Sequence, residues 1–270
     1  MSAAVGIDVG ATKIAAGLVD TSRGALLEAT RRPTPGDPLE ALETCTRIVA
    51  ELCPSEAPRV GIGLCELVTP EGEITSGESV DWRGLDVPSL LPRAESVRIE
   101  SDVRAAAAAE ARYGAAVGAA SALYLNIGSG ISHCLLLDGT PHAGARGNAL
   151  ITGAPPVETW SSGAGLARQA GTQSAQAALA DPGHAGLVAG AANRLGAALA
   201  MLVNALDPDV VVMGGGLGLD ARYREMVVAA ARPLIYAPAT AALPMVPARL
   251  GFDAGVIGAA ALAAEPARAA

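Results

Sequence analysis

The chain has 270 residues, which is enough for two domains that each bury their own core. Its residues are 51% apolar but only 3% aromatic, and its formal net charge is −8, so we expect aliphatic cores and neither nucleic acid nor an anionic membrane surface as a partner. No basic leader is followed by an apolar core, and no uninterrupted apolar run reaches the roughly 18 residues of a membrane span. These features predict a cytoplasmic protein.

Apolar periodicity predicts an alternation of strands and helices. The predicted strands are 5–9, 13–19, 25–29, 60–64, 121–127, 131–137 and 210–213. The predicted helices, most of them rich in alanine, are 37–52, 102–113, 184–206 and 219–231. This order indicates two α/β halves.

The first two strands meet at a turn with the chemistry of a phosphate site. Asp8 comes near the end of the first strand, Gly10 follows in the turn, and Thr12 and Lys13, the single lysine of the chain, come next. Glycine lets backbone N–H groups approach phosphate oxygens, and one carboxylate can hold a hydrated magnesium ion together with substrate phosphates. An ordinary hairpin whose turn contains these residue types fits the bare turn equally well.

A similar turn follows about 120 residues later, which indicates an internal repeat. The strand that ends near Asn126 leads into Gly128, Ser129 and Gly130, and another strand then leaves. Nucleotide phosphates held by both turns would lie in a cleft between the two halves.

Four further stretches accompany the two turns. They are the glycine run after the strand 210–213, the acidic helix start at 100–106, the stretch 157–163 and the stretch 253–260. In their order and spacing these pieces resemble the ROK family of sugar kinases, within the actin, hexokinase and Hsp70 superfamily. The resemblance covers nearly the whole chain.

The resemblance implies an α/β fold of two actin-like, ribonuclease H-like lobes, each a mixed sheet flanked by helices, with a cleft between them. The N-terminal lobe is expected at 1–101 together with a C-terminal helix at about 253–270, and the C-terminal lobe at 102–252. Relatives also imply a homodimer.

The same resemblance implies that ATP and Mg²⁺ are the cofactors and that a small sugar or cyclitol is the substrate. Asp8 would orient the magnesium ion, and Asp102 would accept the proton of the attacking hydroxyl. The nucleotide would lie against two sets of residues: Gly10, Thr12 and Lys13 on one side of the phosphates, and Gly128, Ser129, Gly130, Gly214, Gly215 and Gly216 on the other side and along the adenosine. From the residues alone, Ser101 and Asp102 would instead be assigned as helix N-caps.

The acceptor half departs from the family pattern. Glucose-phosphorylating relatives have an Asn before the catalytic Asp, a Gly in a Pro-Gly turn, and a Gly-Glu-x-Gly-His segment that grips the sugar. This chain has Ser101, Glu66 and the stretch 147–151 in those places, and keeps the carboxylate of Glu158. The acceptor-binding residues are therefore predicted to be Glu66, Ser101, Asp102, Asn148 and Glu158.

Because unpaired buried polar groups disfavour a wrong substrate, these changes favour a cyclitol or modified sugar over glucose. In the alternative interpretation, Glu66 faces solvent and the register at 144–151 is shifted by a few residues. Arg104 and Glu110 are predicted to lie on the surface of one helix.

No zinc is expected. In the resemblance, a cysteine-rich zinc loop follows the sugar-binding His, but here Ile151 replaces that His and only residues 152–156 precede Val157. The cysteines of the chain are scattered and form neither a disulfide framework nor a zinc motif: Cys45, Cys53, Cys65 and Cys134.

Three functions remain open at this point. The leading hypothesis is an ATP-dependent kinase for a cyclitol or modified sugar. The second is an ordinary hexose, N-acetylhexosamine or kanosamine kinase whose pocket tolerates the changes. The third is a catalytically weak sugar-binding regulatory protein, although such a protein would not need Asp8, Lys13 and Asp102.

Overall fold

The computed structural model describes residues 3–150, 152 and 155–265 of the chain. The strands are β1 Ala3–Val9, β2 Lys13–Asp20, β3 Ala25–Pro33, β4 Arg59–Leu64, β5 Ser96–Ser101, β6 Ser121–Ile127, β7 Ile131–Leu137, β8 Thr140–Pro141, β9 Val210–Gly214 and β10 Met245–Pro247. The α-helices are α1 Pro38–Leu52, α2 Asp102–Tyr113, α3 Pro155–Ser161, α4 Gly163–Ala170, α5 Ala175–Ala180, α6 Ala185–Leu206, α7 Gly215–Leu219, α8 Ala221–Ala231, α9 Pro238–Ala241 and α10 Ala254–Ala263.

All of the strands and helices predicted from periodicity are present, with ends shifted by a few residues at most. Periodicity did not reveal β5, whose sequence Ser-Val-Arg-Ile-Glu-Ser is polar and half-exposed at the edge of a sheet. The short strands β8 and β10 and the short helices were also missed, because so few residues show no period.

The chain divides into two compact units. The first unit comprises Met1–Tyr113, Ala143–Ala149 and Asp253–Ala270, and the second comprises Gly114–His142 and Leu150–Phe252. The predicted division after residue 101 differs from this one, since α2 packs within the first unit. The predicted lobe end at 266–270 lies outside the described residues.

The reason for the position of α2 is its close packing against α10. A Cβ atom at Gly258 of α10 would overlap the backbone carbonyl of Ala105 in α2, so the two helices touch through their backbones. Small residues continue along α2, which is buried from Val103 to Glu110. An alanine-rich helix can approach a neighbour this closely because its side chains are short.

The sheet of the first unit has the order β3-β2-β1-β4-β5. The hairpin strands β1, β2 and β3 are antiparallel, whereas β1, β4 and β5 are parallel. Helix α10, which is buried along its whole length, lies on this sheet. Cβ atoms at Gly6 and Gly61 would overlap carbonyls of α10, so glycine is required at both positions for this approach.

The sheet of the second unit repeats this plan. Its order is β10-β9-β6-β7-β8, in which β6 and β7 form an antiparallel hairpin and β6, β9 and β10 are parallel. The two sheets therefore have equivalent strand order and direction, and the internal repeat predicted from the two turns is confirmed.

Helix α6 and the short 3₁₀ turn before it, Pro182–Leu206, are long and apolar enough to cross a membrane by length and composition. One side of α6 lies in the hydrophobic core of the second unit, including Val188, Leu195 and Leu199. Core packing accounts for the apolar composition of this helix.

Candidate active site

Three strand ends bring polar groups together at one edge of the first sheet. In the parallel register Asp8 of β1 lies beside Gly63 of β4, and Leu64 lies beside Ser101 of β5. The carboxyl ends of these parallel strands thus bring together Asp8, the residues after Leu64, and Asp102. Ligands bind at such strand ends in open α/β sheets. Two residues predicted from sequence, Asp8 and Asp102, are therefore placed together.

Asp8 and Asp102 lie where ionisation is unfavourable. Burial raises the pKa of Asp8 to about 6, while the positive charge of Lys13 acts in the opposite direction. Burial and, next, the negative charge of Asp8 raise the pKa of Asp102 to about 7, while the amide of Val103 and the charge of Arg104 lower it. The site therefore concentrates negative charge that a cation would neutralise.

The start of α2 holds Asp102 in a way that differs from a helix cap. Its Oδ1 accepts a hydrogen bond from the amide of Val103, the next residue, at 2.7 Å. A capping side chain accepts from the second or third amide of the helix instead. Ser101 is buried, and its Oγ has no hydrogen-bond partner among the described residues.

The turn between β1 and β2 is a closed hairpin. The amide of Gly10 donates to the carbonyl of Lys13 at 3.0 Å. Thr34 braces this turn, because its hydroxyl donates to the carbonyl of Gly10 at 2.7 Å and its amide donates to the carbonyl of Thr12 at 3.2 Å. The side chains of Thr12 and Lys13 are left exposed. Thr34 belongs to none of the motifs, so no pattern in the sequence points to this residue.

Glu66 is buried and hydrogen-bonded within its own loop. Its two oxygens accept four hydrogen bonds: from the Ser76 hydroxyl and from the amides of Glu78, Ser79 and Val80. Burial raises the pKa of this carboxyl and the hydrogen bonds lower it, with a net pKa below its ordinary value. These four bonds hold the loop 76–80. The predicted contact of Glu66 with the acceptor stays a prediction.

The prediction that Arg104 and Glu110 lie on a helix surface is wrong. Both side chains are buried, with 1% and 0% exposure. Arg104 donates from Nε to Oε1 of Glu100 at 2.6 Å. Glu100 lies near the end of β5 and Arg104 in the first turn of α2, so the pair crosses a strand–helix junction that helical spacing does not describe.

The segment 143–149 belongs to the first unit and is a compact turn. The amide of Ala149 donates to the carbonyl of Ala143 at 3.2 Å, and Gly147 is buried with a φ of +77°. Asn148, a predicted acceptor-binding residue, is exposed. Ile151, the predicted replacement of the sugar-binding His, lies outside the described residues.

In the second unit the turn between β6 and β7 is tied to the start of α4. The amide of Gly128 donates to the carbonyl of Gly130 at 2.9 Å. The amide of Gly163 donates to the carbonyl of Gly128 at 2.8 Å, and the amide of Ala164 donates to that of Ser129 at 3.2 Å. These bonds hold the predicted phosphate turn, while Ser129 remains exposed.

The glycine run after β9 lies next to this turn. Asn126 pairs with Gly214 in the parallel register, and a Cβ atom at Gly215 would come within 2.6 Å of the Ile127 carbonyl. Gly215 also has a φ of +75°, which side chains other than glycine rarely adopt. The second unit thus brings together the two glycine stretches predicted to bind the nucleotide.

Glu158, on α3, lies beside the same turn. Its Oε2 accepts a hydrogen bond from the amide of Ile131 at 2.9 Å, and a Cβ atom at Gly130 would come within 3.0 Å of that oxygen. The side chain is otherwise exposed. Its predicted contact with the acceptor stays a prediction.

The residues of the first unit fit a magnesium ion bound together with phosphates. Asp8 supplies carboxylate oxygens beside a second carboxyl, Asp102, and magnesium binds through one or two carboxylates plus phosphate oxygens and water. Such an ion does not need a full protein cage. Among the described residues, no group of three or more His, Cys, Asp or Glu is placed to hold a metal.

The sequence profile of the ROK family matches residues 4–153 and 153–266. The chain belongs to the ROK family. This profile spans residues of both units, and the family predicted from the motifs is confirmed.

Named relatives of this ROK-family chain include kinases. It is 34% identical to the bifunctional enzyme NanE/NanK of Brucella melitensis over a region that covers 62% of the chain and 35% of that enzyme, so it spans about a third of the enzyme's length. It is 27% identical to a glucokinase of Streptomyces coelicolor, with 98% of the chain and 99% of the glucokinase covered.

A solved ROK structure shares the fold. The crystal structure of a ROK family glucokinase from Streptomyces griseus, in complex with glucose and AMPPNP, matches with a TM-score of 0.84 at 24% identity and covers 96% of this chain and 98% of that one. The predicted fold class, two mixed sheets flanked by helices in the actin-like arrangement, is confirmed.

Proposed function

We propose that this protein is an ATP-dependent kinase that phosphorylates a hydroxyl group of a sugar or a sugar-like polyol. The observation that carries the proposal is the pair of carboxylates at one edge of the first sheet, Asp8 and Asp102, whose pKa values are raised to about 6 and about 7. A protein that only binds sugar has no need of two acids with raised pKa values at one edge. The glucokinase among the relatives supports the same function.

In this proposal Asp102 orients the attacking hydroxyl and accepts its proton. A carboxylate with an ordinary pKa near 4 is a weak base, whereas one with a pKa near 7 matches the operating pH of a general base. The hydrogen bond from the Val103 amide fixes Oδ1, so Oδ2 would face the hydroxyl. Positioning of this kind supplies much of the rate in phosphoryl transfer.

Asp8 would hold Mg²⁺ together with the phosphates of ATP. The bound ion would neutralise charge on the transferred phosphoryl group. Lys13 and the turn at Gly10 would contact phosphate oxygens from the first unit, and the turn 128–130 and the glycines 214–216 would bind the nucleotide from the second. The AMPPNP complex of the Streptomyces griseus relative supports ATP as the donor.

For the acceptor we propose a cyclitol or a modified sugar, because the Glu and His that grip glucose in relatives of the family are replaced in the stretch 147–151. A second candidate is a hexose or N-acetylhexosamine acceptor. The glucokinase relative favours a hexose, and the hydrogen bonds of Glu66 within its own loop make its carboxylate less available to an additional hydroxyl or amine.

The test is ATP consumption with magnesium over a panel of glucose, mannose, N-acetylated hexoses, amino hexoses and seven-carbon cyclitols. The Asp102→Asn variant serves as the blank. Turnover of a cyclitol or amino sugar above that of glucose supports the proposed acceptor, and glucose turnover at an ordinary kinase rate contradicts it. ATP binding without turnover of any acceptor would point to the regulatory alternative.

A further inference from the structure

A buried arginine near Asp102 joins three segments of the first unit. Nε of Arg104 donates to Oε1 of Glu100 at 2.6 Å, Nη1 donates to the carbonyl of Gly147 at 2.8 Å, and Nη2 donates to the carbonyl of Val68 at 2.6 Å. Only 1% of the Arg104 side chain is exposed. Three bonds from one planar, permanently charged group define its position closely.

Each of the two carbonyls belongs to a segment that contains a residue predicted to bind the acceptor, Glu66 or Asn148. Val68 lies two residues after Glu66 in the loop that follows β4, and Gly147 precedes Asn148 in the segment 143–149. The segments are in direct contact, since a Cβ atom at Gly147 would overlap the Val68 carbonyl. Two buried carbonyl oxygens that converge in this way need a donor between them, and Arg104 supplies it.

The same arginine also links both segments to the start of α2. Arg104 lies two residues after Asp102, and Oε1 of Glu100 accepts from the amide of Ser101 at 2.9 Å as well as from Arg104. The guanidinium therefore connects the backbone on either side of Asp102 to the loop after β4 and to the segment 143–149.

We propose that Arg104 is a positioning residue for the acceptor site: it sets the place of the loop after β4 and of the segment 143–149 relative to Asp102, and so determines how well the acceptor binds. This inference rests on the proposed kinase function. Arg104 itself need not touch the substrate, since only 1% of the residue is exposed and three of its five N–H donors bond Glu100, Gly147 and Val68.

The experiment compares Arg104→Met and Arg104→Lys with a matched control, Arg98→Gln. Arg98 is a second arginine of the first unit, partly buried, which donates to the Leu262 carbonyl and pairs with Glu265 instead of bonding these segments. Steady-state kinetics give KM for the acceptor, KM for ATP and kcat. Hydrogen exchange of the proteins without substrate reports on residues 66–69 and 143–149.

We expect Arg104→Met to raise KM for the acceptor at least about tenfold, with KM for ATP within about threefold of wild type. Exchange in the two segments should become faster. Arg104→Lys, which keeps the charge but can make fewer bonds, should lie between Arg104→Met and wild type. Arg98→Gln should change neither measurement. An unchanged acceptor KM, or an equal rise for both substrates, would overturn the proposal.

Exchange also separates this inference from the proposed function. If the wild-type protein phosphorylates no sugar, the kinase proposal fails, and faster exchange in Arg104→Met but not in Arg98→Gln still supports the positioning role, while equal exchange overturns it. Should Arg104→Met fail to fold because the charge of Glu100 is left unpaired, the double variant Glu100→Gln, Arg104→Met removes that charge and takes its place in both measurements.

Discussion

Asp8 lies on β1 and Asp102 begins α2, directly after β5 of the same sheet, and the charge of Asp8 helps to keep a proton on Asp102. Burial is the larger cause and the charge of Asp8 the next in raising the pKa of Asp102 to about 7. The thiol of Cys65, which follows β4, lies in the same environment. Burial and then the charge of Asp102 raise its pKa to about 12. The raised pKa values thus mark a lack of positive charge at this edge of the sheet, which a bound cation or phosphate-bound metal would supply.

The first prediction concerns turnover. Asp102→Asn keeps the shape of the side chain but removes the proton acceptor, and kcat should fall at least about 100-fold, the lower end of what a positioned general base contributes. Affinity for ATP should stay within about threefold of wild type. The exposed residue Asp86, replaced by Asn, serves as the control. A kcat within about tenfold of wild type would remove Asp102 from the mechanism, because that loss is only about 1.4 kcal/mol.

The second prediction concerns stability and pH. The folded protein holds a proton on Asp102 between its ordinary pKa of 3.8 and the folded value of about 7, so the unfolded state binds fewer protons in this window and stability declines as pH rises through it. Asp102→Asn cannot ionise. The difference in free energy of unfolding between Asp102→Asn and wild type should therefore grow, in favour of the variant, by at least about 1 kcal/mol from pH 5 to pH 8, as urea denaturation at both pH values would show. An equal difference at the two pH values would mean that Asp102 does not titrate in this window.

Much of this site was readable from sequence because it lies at the ends of periodic elements. Asp8 and Gly10 follow an apolar strand, and Gly214 to Gly216 follow another, so their places in the fold came from the pattern itself. The surroundings of Glu66 and Arg104 could not be read in that way. Their partners lie in loops, 12–14 residues from Glu66 for the amides and 36 and 43 residues from Arg104 for the carbonyls, and no period links such positions.

The third prediction concerns Glu66. In Glu66→Gln one acceptor oxygen becomes an NH₂ group that faces backbone N–H donors, so at least one of the four bonds is lost, the Ser76 hydroxyl being able to accept from the NH₂ group instead. Because each buried unsatisfied donor costs about 1–3 kcal/mol, the free energy of unfolding should fall by about 1 kcal/mol or more, and the loop 76–80 should become sensitive to protease. Glu71→Gln, on the exposed part of the same connection, is the control.

Glu66→Gln also distinguishes a loop-fixing carboxylate from one that binds the acceptor. A loop-fixing role predicts reduced stability with the same order of preference among acceptors. Unchanged stability with a new order of preference would indicate that Glu66 binds the acceptor directly.

The fourth prediction uses two glycines with similar backbone conformations. Gly147 and Gly84 both have positive φ angles, +77° and +72°, so alanine at either site carries a left-handed cost of about 1–2 kcal/mol. A Cβ atom at Gly147 would also overlap the Val68 carbonyl, whereas one at Gly84 would meet nothing within 4 Å. Gly147→Ala should therefore destabilise the protein by about 1–3 kcal/mol more than Gly84→Ala, and it alone should weaken acceptor binding. Equal losses in thermal unfolding would show that the segment 143–149 can move away from Val68 without cost.

The fifth prediction tests whether ATP lies against the glycine run of the second unit. Gly216 differs from its neighbours, because a Cβ atom there would come no closer than 3.6 Å to Nε2 of Gln176 and its φ is not positive. Gly216→Ala should therefore fold with the stability of wild type. If the nucleotide packs on this backbone, the added methyl group occupies its place, and the Kd for ATP measured by calorimetry should rise at least about tenfold, or about 1.4 kcal/mol. Gly186→Ala, at an exposed helical glycine with open space around it, should leave both quantities unchanged. Normal ATP affinity in Gly216→Ala would place the adenosine elsewhere on the second unit, because an alanine that the free protein accommodates can weaken binding only through the ligand it meets.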